Sequence, residues 1–233
     1  MGYGLKMILV LATENKDKGR EIAEIVNGQI WEGRRFSAPT KQNTKNLELR
    51  LLSDYPHIVL PPETGTTYLQ NASVKATYTA SQTGQWALGD DSGLEIDALD
   101  GAPGLYSSRF AGEGATYADN RKKVLELLLD IPEESRSARF ICTVVIASPD
   151  GASEAIVGIC EGKIACSKGG RPLRIDDSNG FGYDPIFYPT GYNKTFADCT
   201  SDEKHRISHR GHAVRAAIEI LKKWPGHCGK FGV

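Results

Sequence analysis

The sequence lacks the features by which membrane and secreted proteins are usually recognised. No apolar run approaches the roughly 20 residues that span a bilayer, and the apolar stretch Met7–Ala12 is shorter than the core of a signal peptide. The five cysteines are odd in number and form no C-x-x-C pair, which argues against a disulfide framework or a zinc knuckle. These absences predict a cytoplasmic protein that does not associate with membranes.

A basic excess is also missing. The chain has 28 lysines and arginines against 29 aspartates and glutamates. Proteins that bind nucleic acid in bulk carry an excess of positive charge, so no nucleic-acid partner is expected. Any polyanion that the protein binds must be met by a local cluster of basic side chains.

Repeats, low-complexity tracts and a clear linker are absent as well, so residues 1–233 are expected to form a single domain that ends in a C-terminal tail over 225–233. Apolar runs alternate with helical patterns, which is typical of an α/β fold with a mixed sheet. We expect two lobes with a cleft between them.

The expected elements follow from hydrophobic periodicity. In the helix predicted after residue 66, Leu69, Ala72 and Ala76 form a stripe suited to tight packing on a sheet. The expected strands are Met7–Ala12, Trp86–Gly89, Leu94–Leu99, Phe140–Ala147 and Ala155–Cys160, the last two as an antiparallel hairpin; the expected helices follow Gly19 and span Thr67–Ala80, Tyr117–Leu129 and His209–Trp224, with a weak helix near Leu47–Leu52.

The first of four polar segments with chemical potential follows the strand at Met7–Ala12. A loop between a buried strand and a helix presents backbone N–H groups and the positive end of the helix dipole, which together favour phosphate. The Walker A pattern is missing, and a solvated turn with an asparagine cap explains the same residues equally well. The segment consists of Thr13, Glu14, Asn15, Lys16, Asp17 and Lys18.

The second segment, Gly89–Gly93, carries the adjacent carboxylates Asp90 and Asp91. Placed at the carboxyl end of a strand, they form a hard-oxygen site suited to Mg²⁺. Two neighbouring negative charges repel each other and therefore favour a partner cation. An aspartate-rich turn is the alternative explanation. Glu63 is a candidate for a third carboxylate.

The third segment, Gly180–Tyr188, alternates glycines with aromatic residues. Glycines such as Gly182 let the backbone approach a flat ligand closely, while a ring such as that of Phe181 or Tyr183 stacks on it. Asp184 is placed to accept a proton from that ligand. A strand with a bulge and core aromatics is the alternative.

The fourth segment surrounds residue 208. His205, His209 and His212 have the spacing of a metal-binding stripe, but Ser208 is a better N-cap, so the helix is expected to begin at His209 with His205 before it. His209 and Arg210 then lie in the first helical turn, where cations oppose the helix dipole. An anionic or carbonyl-rich ligand would explain this placement, and two solvated basic side chains are the alternative. Taken together, the four segments predict a site for a nucleotide and a divalent metal ion.

At these residues the sequence resembles a known family, the ITPase or Ham1-like pyrophosphatases, which act on non-standard purine nucleoside triphosphates. The resemblance extends from about Met7 to Leu221, nearly the whole chain. The motifs that carry it are Thr13-x-Asn15-x-x-Lys18, Glu63-Thr-Gly65 with Asn71-Ala and Lys75-Ala, Asp90-Asp-Ser-Gly93, Gly101-Ala-Pro-Gly104 with Ser108-Arg109, Gly180-Phe-Gly-Tyr-Asp-Pro185 and Ser208-His-Arg-Gly211.

The resemblance implies an elongated mixed β-sheet flanked by helices, with an active-site cleft between two lobes, in a homodimer. It implies hydrolysis of ITP, dITP and XTP to the monophosphate and pyrophosphate. It also implies that Glu63 and Asp91 hold Mg²⁺, with Asp90 as a further candidate, and that Asp91 is catalytic. The substrate-binding residues that it implies are Thr13, Glu14, Asn15, Lys16, Asp17, Lys18, Ser92, Phe181, Gly182, Tyr183, Asp184, Lys204, His209 and Arg210.

Two departures from the family pattern stand out. Glu14 occupies a position where the family often has glycine, and the stretch Arg34–Pro62 is longer than typical. Two other functions are compatible with the residues. One is a Maf-like pyrophosphatase acting on pyrimidine or modified nucleotides, and the other is a non-catalytic nucleotide sensor, against which the intact carboxylates argue.

Overall fold

The computed structural model describes residues 7–31, 47–166 and 180–224. The predicted tail at 225–233, and the predicted irregular stretch as far as residue 46, lie outside this part of the chain. The described residues fall into two compact units. Unit 1 takes its residues from 1–91, 143–157 and 213–233, and unit 2 takes its residues from 92–142 and 158–212. Each unit is therefore assembled from separate stretches of the chain.

Within the described ranges, six strands form one mixed sheet, as the α/β pattern predicted. The strands are β1 (Met7–Leu11), β2 (Leu47–Leu51), β3 (Trp86–Ile96), β4 (Ser137–Ala147), β5 (Ser153–Ile164) and β6 (Phe187–Pro189), in the order β2-β1-β3-β4-β5-β6. Strand β1 is parallel to β2 and β3, and β5 is antiparallel to β6. The short turn at Ser148–Ala152, closed by a hydrogen bond from Ser148 N to Ala152 O (2.8 Å), makes β4 and β5 an antiparallel hairpin, since parallel strands need a much longer crossover.

In the part of the chain that the structure describes, five α-helices accompany the sheet, and side-chain caps define several of their first turns. They are α1 (Lys16–Trp31), α2 (Tyr68–Thr83), α3 (Tyr117–Leu127), α4 (Ser201–Ile207) and α5 (His209–Lys223). Thr67 caps α2 by accepting a hydrogen bond from the Gln70 amide. Thr116 and Asp119 form a capping box at α3. Helix α2 ends at Gly84, whose left-handed backbone (φ 64°) suits glycine.

In unit 1, helix α2 packs closely on the sheet through small residues. Ala72, Ala76 and Ala80 are buried with Ala87 of β3 and two residues of β4. A Cβ atom on Gly89 would lie 2.5 Å from the Ala72 carbonyl oxygen, so only glycine permits this approach. The predicted stripe is thus confirmed at Ala72 and Ala76 but wrong at Leu69, which is 48% exposed, because the buried positions continue towards Ala80 instead.

Unit 2 has an aromatic core. The rings of Phe140 and Phe187 meet edge to face at 4.7 Å between centroids, and Phe196 lies 5.9 Å from Phe140. Leu94 and Ile96 of β3 are fully buried in the same cluster. This packing holds the carboxyl-terminal half of β3 and the strand β6 that follows the Gly180 loop.

Three predicted elements differ from the structure. The weak helix near Leu47–Leu52 is wrong, because Leu47–Leu51 is a strand that pairs with β1, and tertiary pairing overrides local helix propensity there. The two strands predicted on either side of Gly89–Gly93 are one continuous strand, β3, that ends at Ile96. The helix α4 was not predicted. No helix among the described residues is long and apolar enough to cross a membrane.

Arg136 is an unusual core residue of unit 2. Its side chain is buried, and its guanidinium donates to three backbone carbonyls, those of Ile131 (3.0 Å), Ala165 (2.7 Å) and Leu128 (2.5 Å). Leu128 is the C-cap of α3, so one side chain satisfies the end of a helix and two loop carbonyls that have little access to water.

Replacing Arg136 with methionine should lower the free energy of unfolding by about 3 kcal/mol, because it leaves buried carbonyls without a donor. Arg139→Met is the matched control. Arg139 lies three residues further along the chain, in β4, and makes partly exposed ion pairs with Glu95 and Asp97, which should be worth less than about 1 kcal/mol. Urea denaturation measures both, and equal losses would contradict the role given to Arg136.

Candidate functional site

Asn15 begins helix α1 by capping it. Its Oδ1 atom accepts hydrogen bonds from the backbone amides of Asp17 (3.0 Å) and Lys18 (3.1 Å), and Thr13 Oγ1 accepts one from the Asn15 amide (3.3 Å). The helix therefore starts at Lys16, earlier than predicted. An asparagine cap was the alternative to a phosphate-binding loop, and the structure contains this cap. The cap uses the N–H groups of Asp17 and Lys18, which a phosphate could otherwise bind. Phosphate binding by this segment must therefore depend on its side chains.

Lys18 extends from this first turn to the paired acids. Its Nζ atom lies 3.3 Å from Asp90 Oδ2 and 4.0 Å from Asp91 Oδ1. Both aspartates are buried within β3, so the prediction that they sit in a turn beyond a strand end is wrong. The polarity of D-D-S-G suggested a turn because charged residues are rarely placed inside a buried strand unless they are paired.

Glu63, Asp90 and Asp91, together with Lys18 and Lys75, form a group that we call the acidic cluster. Lys75 on α2 is buried and forms an ion pair with Glu63. Burial alone would lower the pKa of Lys75, but the attraction of Asp90, Glu63 and Asp91 outweighs it and raises the pKa. Burial raises the pKa of Asp91, and Lys18, Lys75 and Asn71 offset this only in part.

The raised pKa of Lys75 reflects the charges of the acidic cluster, in which three carboxylates face two ammonium groups. The excess negative charge favours the uptake of a further cation, and carboxylate oxygens are the ligands that Mg²⁺ prefers. Within the described ranges, no three His, Cys, Asp or Glu side chains are already arranged around a common metal position. The donor types and the charge therefore fit a divalent ion, while Lys75 occupies the place next to Glu63.

The loop at Gly180 in unit 2 is held from inside by Asp184. Its Oδ2 atom accepts hydrogen bonds from the Phe181 amide (3.1 Å) and from Lys204 Nζ (2.5 Å). Gly180 and Gly182 adopt positive φ angles of 74° and 60°, which favour glycine. The alternative prediction of a bulged strand with core aromatics is wrong for residues 180–186, which form a turn and a short 3₁₀ helix. Its core aromatics are confirmed, since Tyr183 and Phe187 are buried and Phe187 begins strand β6.

Two further side chains anchor this loop, and the sequence patterns did not reveal them as such. Arg121 Nη1 on α3 donates to the Gly182 carbonyl (2.6 Å), and Tyr183 Oη donates to the Ser107 carbonyl (2.8 Å). Burial raises the pKa of Tyr183, which keeps the phenol protonated as a donor. The sequence does contain a signal that Arg121 is buried, because its spacing places it on the same face of the helix as the buried Val124 and Leu128.

Helix α5 begins at His209, as predicted, with Ser208 as its cap: the Gly211 amide donates to Ser208 Oγ (3.0 Å). His205 lies in the separate helix α4. His209 and Arg210 are buried, so their interpretation as two solvated basic side chains is wrong. The His209 ring stacks on Phe140 with 4.6 Å between centroids, and Arg210 Nη2 donates to Ser92 Oγ (3.0 Å).

Three groups of unit 2 meet at the Phe181 ring, which is half-buried. Lys204 Nζ lies 4.8 Å from its centroid and the Arg210 guanidinium 5.7 Å from it. Tyr117, the first residue of α3, meets the same ring at 6.0 Å between centroids. A flat ring with two cations over it suits a planar ligand that carries hydrogen-bond acceptors.

The structure distributes the predicted site residues over the two units. Those of unit 1 are Thr13, Glu14, Asn15, Lys16, Asp17, Lys18, Glu63 and Asp91, and those of unit 2 are Ser92, Phe181, Gly182, Tyr183, Asp184, Lys204, His209 and Arg210. Unit 1 also contains a cavity of about 460 Å³, lined by Thr13 to Lys16 of the α1 segment and by apolar residues such as Leu52 and Ile58. The predicted binding roles of these residues remain predictions.

Comparison with known proteins places these residues in a wider context. The model of the Ham1 family matches residues 9–220, a range that contains every predicted site residue. The dITP/XTP pyrophosphatase of Desulforamulus reducens is 41% identical over 217 residues, covering 93% of this chain and 96% of that protein. The dITP/XTP pyrophosphatase of Bacillus cereus is 42% identical over 218 residues, covering 93% and 95%.

Solved structures agree with the sequence comparisons. A HAM1 protein from Coxiella burnetii has a TM-score of 0.73 and 36% identity, covering 93% of this chain and 99% of that one. The Ham1 protein of Staphylococcus aureus has a TM-score of 0.71 and 31% identity, covering 93% and 98%.

The buried pair Lys204–Asp184 can be tested by a double-mutant cycle. Lys204→Met should cost about 3–5 kcal/mol of stability, because it leaves the Asp184 carboxylate buried without its cation. Combining it with Asp184→Asn should restore at least half of that loss, since no uncompensated charge then remains. Thermal and urea unfolding measure the cycle, and a double variant as unstable as the sum of the single variants would contradict the coupling.

Proposed function

Because the chain belongs to the Ham1 family, we propose that it hydrolyses non-standard purine nucleoside triphosphates, such as dITP, XTP and ITP, to the monophosphate and pyrophosphate. The observation that carries the proposal is that relatives named dITP/XTP pyrophosphatase match 93% of this chain at 41–42% identity. The protein is thus a hydrolase that removes faulty nucleotides from the pool. We place it in the cytoplasm as a homodimer, in line with the expectation from the sequence.

The acidic cluster is the proposed metal and reaction site. Glu63 and Asp91 would hold Mg²⁺, with Asp90 as a further carboxylate, and the excess negative charge of the cluster supports this assignment. When bound, the ion neutralises charge on the phosphate oxygens. Lys75 forms an ion pair with Glu63. Its ammonium group, on a flexible side chain, can compensate the negative charge of the same carboxylates before the ion binds.

Asp91 is the proposed catalytic residue. Water attacks the α-phosphorus, the bond from that phosphorus to the bridging oxygen breaks, and pyrophosphate leaves with the electron pair of that bond. Asp91 orients the water and takes up its proton. The surroundings of Asp91 support this role, because Asn71 donates a hydrogen bond to one of its carboxylate oxygens and so fixes its orientation. Lys16, Lys18 and Thr13 would bind the triphosphate through their side chains.

The group around Phe181 is the proposed base site. Hypoxanthine and xanthine carry a 6-keto acceptor and an N1 proton, whereas adenine carries a 6-amino donor. Lys204 and Arg210 offer donors and Asp184 an acceptor, with the Phe181 ring as a stacking surface. Adenine would therefore leave groups unpaired, and mismatches of this kind in a polar site reject an analogue strongly. His209, fixed against Phe140, would border the same group.

Asp91→Asn should lower kcat at least about 100-fold, because the amide cannot take up the proton and binds a cation less well. The variant should keep its fold, since Asn preserves the shape of the side chain. Asp100→Asn is the control: Asp100 is exposed in a left-handed conformation (φ 52°) that asparagine also accepts. Pyrophosphate release from ITP measures both, and an Asp91→Asn enzyme close to wild-type activity would remove Asp91 from the mechanism.

A nucleotide panel tests the reaction and the substrate together. With Mg²⁺, ITP, dITP and XTP should yield pyrophosphate without orthophosphate, and EDTA should abolish the release. ATP should be hydrolysed at least about 100-fold less efficiently in kcat/KM than ITP, because of the donor mismatch at position 6.

The same panel separates the two other candidate functions. Preferential turnover of UTP or dTTP would indicate a Maf-like pyrophosphatase. Binding of nucleotides without any turnover would indicate a sensor. Equal turnover of ATP and ITP would contradict the proposed base site.

A further inference from the structure

Asn71, the fourth residue of α2, makes two hydrogen bonds in opposite directions from one buried amide. Its Nδ2 atom donates to Asp91 Oδ2 (2.9 Å), and its Oδ1 atom accepts from the backbone amide of Gly65 (2.8 Å). Asp91 is the proposed catalytic residue, and Gly65 lies two residues after Glu63, the proposed second metal ligand. One side chain thus links the Asp91 carboxylate to the backbone of the loop that carries Glu63.

We propose that Asn71 is a positioning residue that sets the distance between Glu63 and Asp91 and so prepares the metal site before the ion arrives. The inference rests on the proposed function for its choice of metal ligands. Hydrogen bonds to the ligands of a metal orient them, and their loss commonly costs 10–100-fold in metal affinity. An amide suits the task because it can donate to the carboxylate and accept from the backbone at once, which a hydroxyl or carboxylate cannot do with the same geometry.

The close approach of Gly65 to α2 supports the same conclusion. A Cβ atom at this position would lie 2.6 Å from Asn71 Oδ1 and 2.7 Å from Gln70 Cβ. The φ angle of Gly65 is not in the left-handed region, so the requirement for glycine comes from the close approach to Asn71 and not from the backbone. Glycine at position 65 and asparagine at position 71 are therefore two parts of one contact.

The neighbouring Gln70 provides a matched comparison. Its Oε1 atom accepts hydrogen bonds from the Thr66 amide (2.7 Å) and hydroxyl (3.1 Å), so it fastens the same loop to the same helical turn. The side chain of Gln70 bonds to Thr66 of the loop, whereas that of Asn71 also contacts Asp91. Loss of Gln70 should loosen the loop without releasing the carboxylate.

The test uses Mn²⁺ as a probe for the full-length protein without nucleotide. Binding is followed by the loss of the electron paramagnetic resonance signal of free Mn²⁺. Asn71→Leu should weaken Mn²⁺ binding at least about tenfold, while Gln70→Leu should change it less than twofold. Gly65→Ala, which presses a methyl group against Asn71 Oδ1, should also weaken binding and serves as the deciding variant if Asn71→Leu fails to fold. Circular dichroism and a cooperative melting transition establish folding.

Three results would overturn the inference. The first is a folded Asn71→Leu or Gly65→Ala variant that binds Mn²⁺ as the wild type does, and the second is a Gln70→Leu variant that loses binding to the same extent. The third is wild-type protein that binds no Mn²⁺ at millimolar concentration. Because no nucleotide is present, the result does not depend on turnover. If Mn²⁺ binding depends on Asn71 but the protein releases no pyrophosphate, this inference stands and the proposed function is contradicted.

Discussion

The burial of two adjacent carboxylates in the middle of β3 is the constraint on which unit 1 depends. An ionised carboxylate inside a protein is costly unless cations and donors surround it. Lys18 reaches Asp90 and Asp91 because α1 starts at Lys16, directly after β1. Asn71 and Lys75 reach the same place because Gly89 lets α2 approach the strand. The cap of α1 and the small residues that let α2 approach β3 thus have the same effect: both bring to the two buried carboxylates side chains that stabilise their charge.

Unit 2 buries cations, whose positive charge must likewise be compensated. Arg136 is satisfied by backbone carbonyls, Arg121 bonds to the Gly182 carbonyl, and Lys204 is neutralised by Asp184. Aromatic faces complete the environment, as at Phe181. Unit 1 thus buries the acids Asp90 and Asp91, and unit 2 buries the bases Arg121, Arg136 and Lys204. Neither property is visible in the net charge of the chain, which is close to zero.

Much of this could be predicted from the sequence where periodicity or capping governs the structure. The stripe at Ala72 and Ala76 and the start of α5 at His209 are examples, and the motifs sufficed to identify the family. The wrong predictions share one cause: at these positions long-range contacts determine the secondary structure, and local polarity does not reveal them. Leu47–Leu51 is a strand because β1 lies beside it, and Asp90 and Asp91 remain inside β3 because distant lysines compensate them. Arg121 and Asn71 act through partners 61 and 20 residues away, respectively, which no local pattern encodes.

The interleaving of the two units has a consequence for synthesis on the ribosome. Unit 2 is complete once residue 212 has emerged, whereas unit 1 still lacks the remainder of α5, with the buried Ala213, Val214 and Ala217. Chains grow from the N-terminus, so the acids of β3 are made long before the unit that buries them can close. A nascent chain stalled in this last helix would have all of unit 2 but only part of unit 1 available for folding. Neither unit is one continuous stretch of the chain, so neither can be excised as a single fragment.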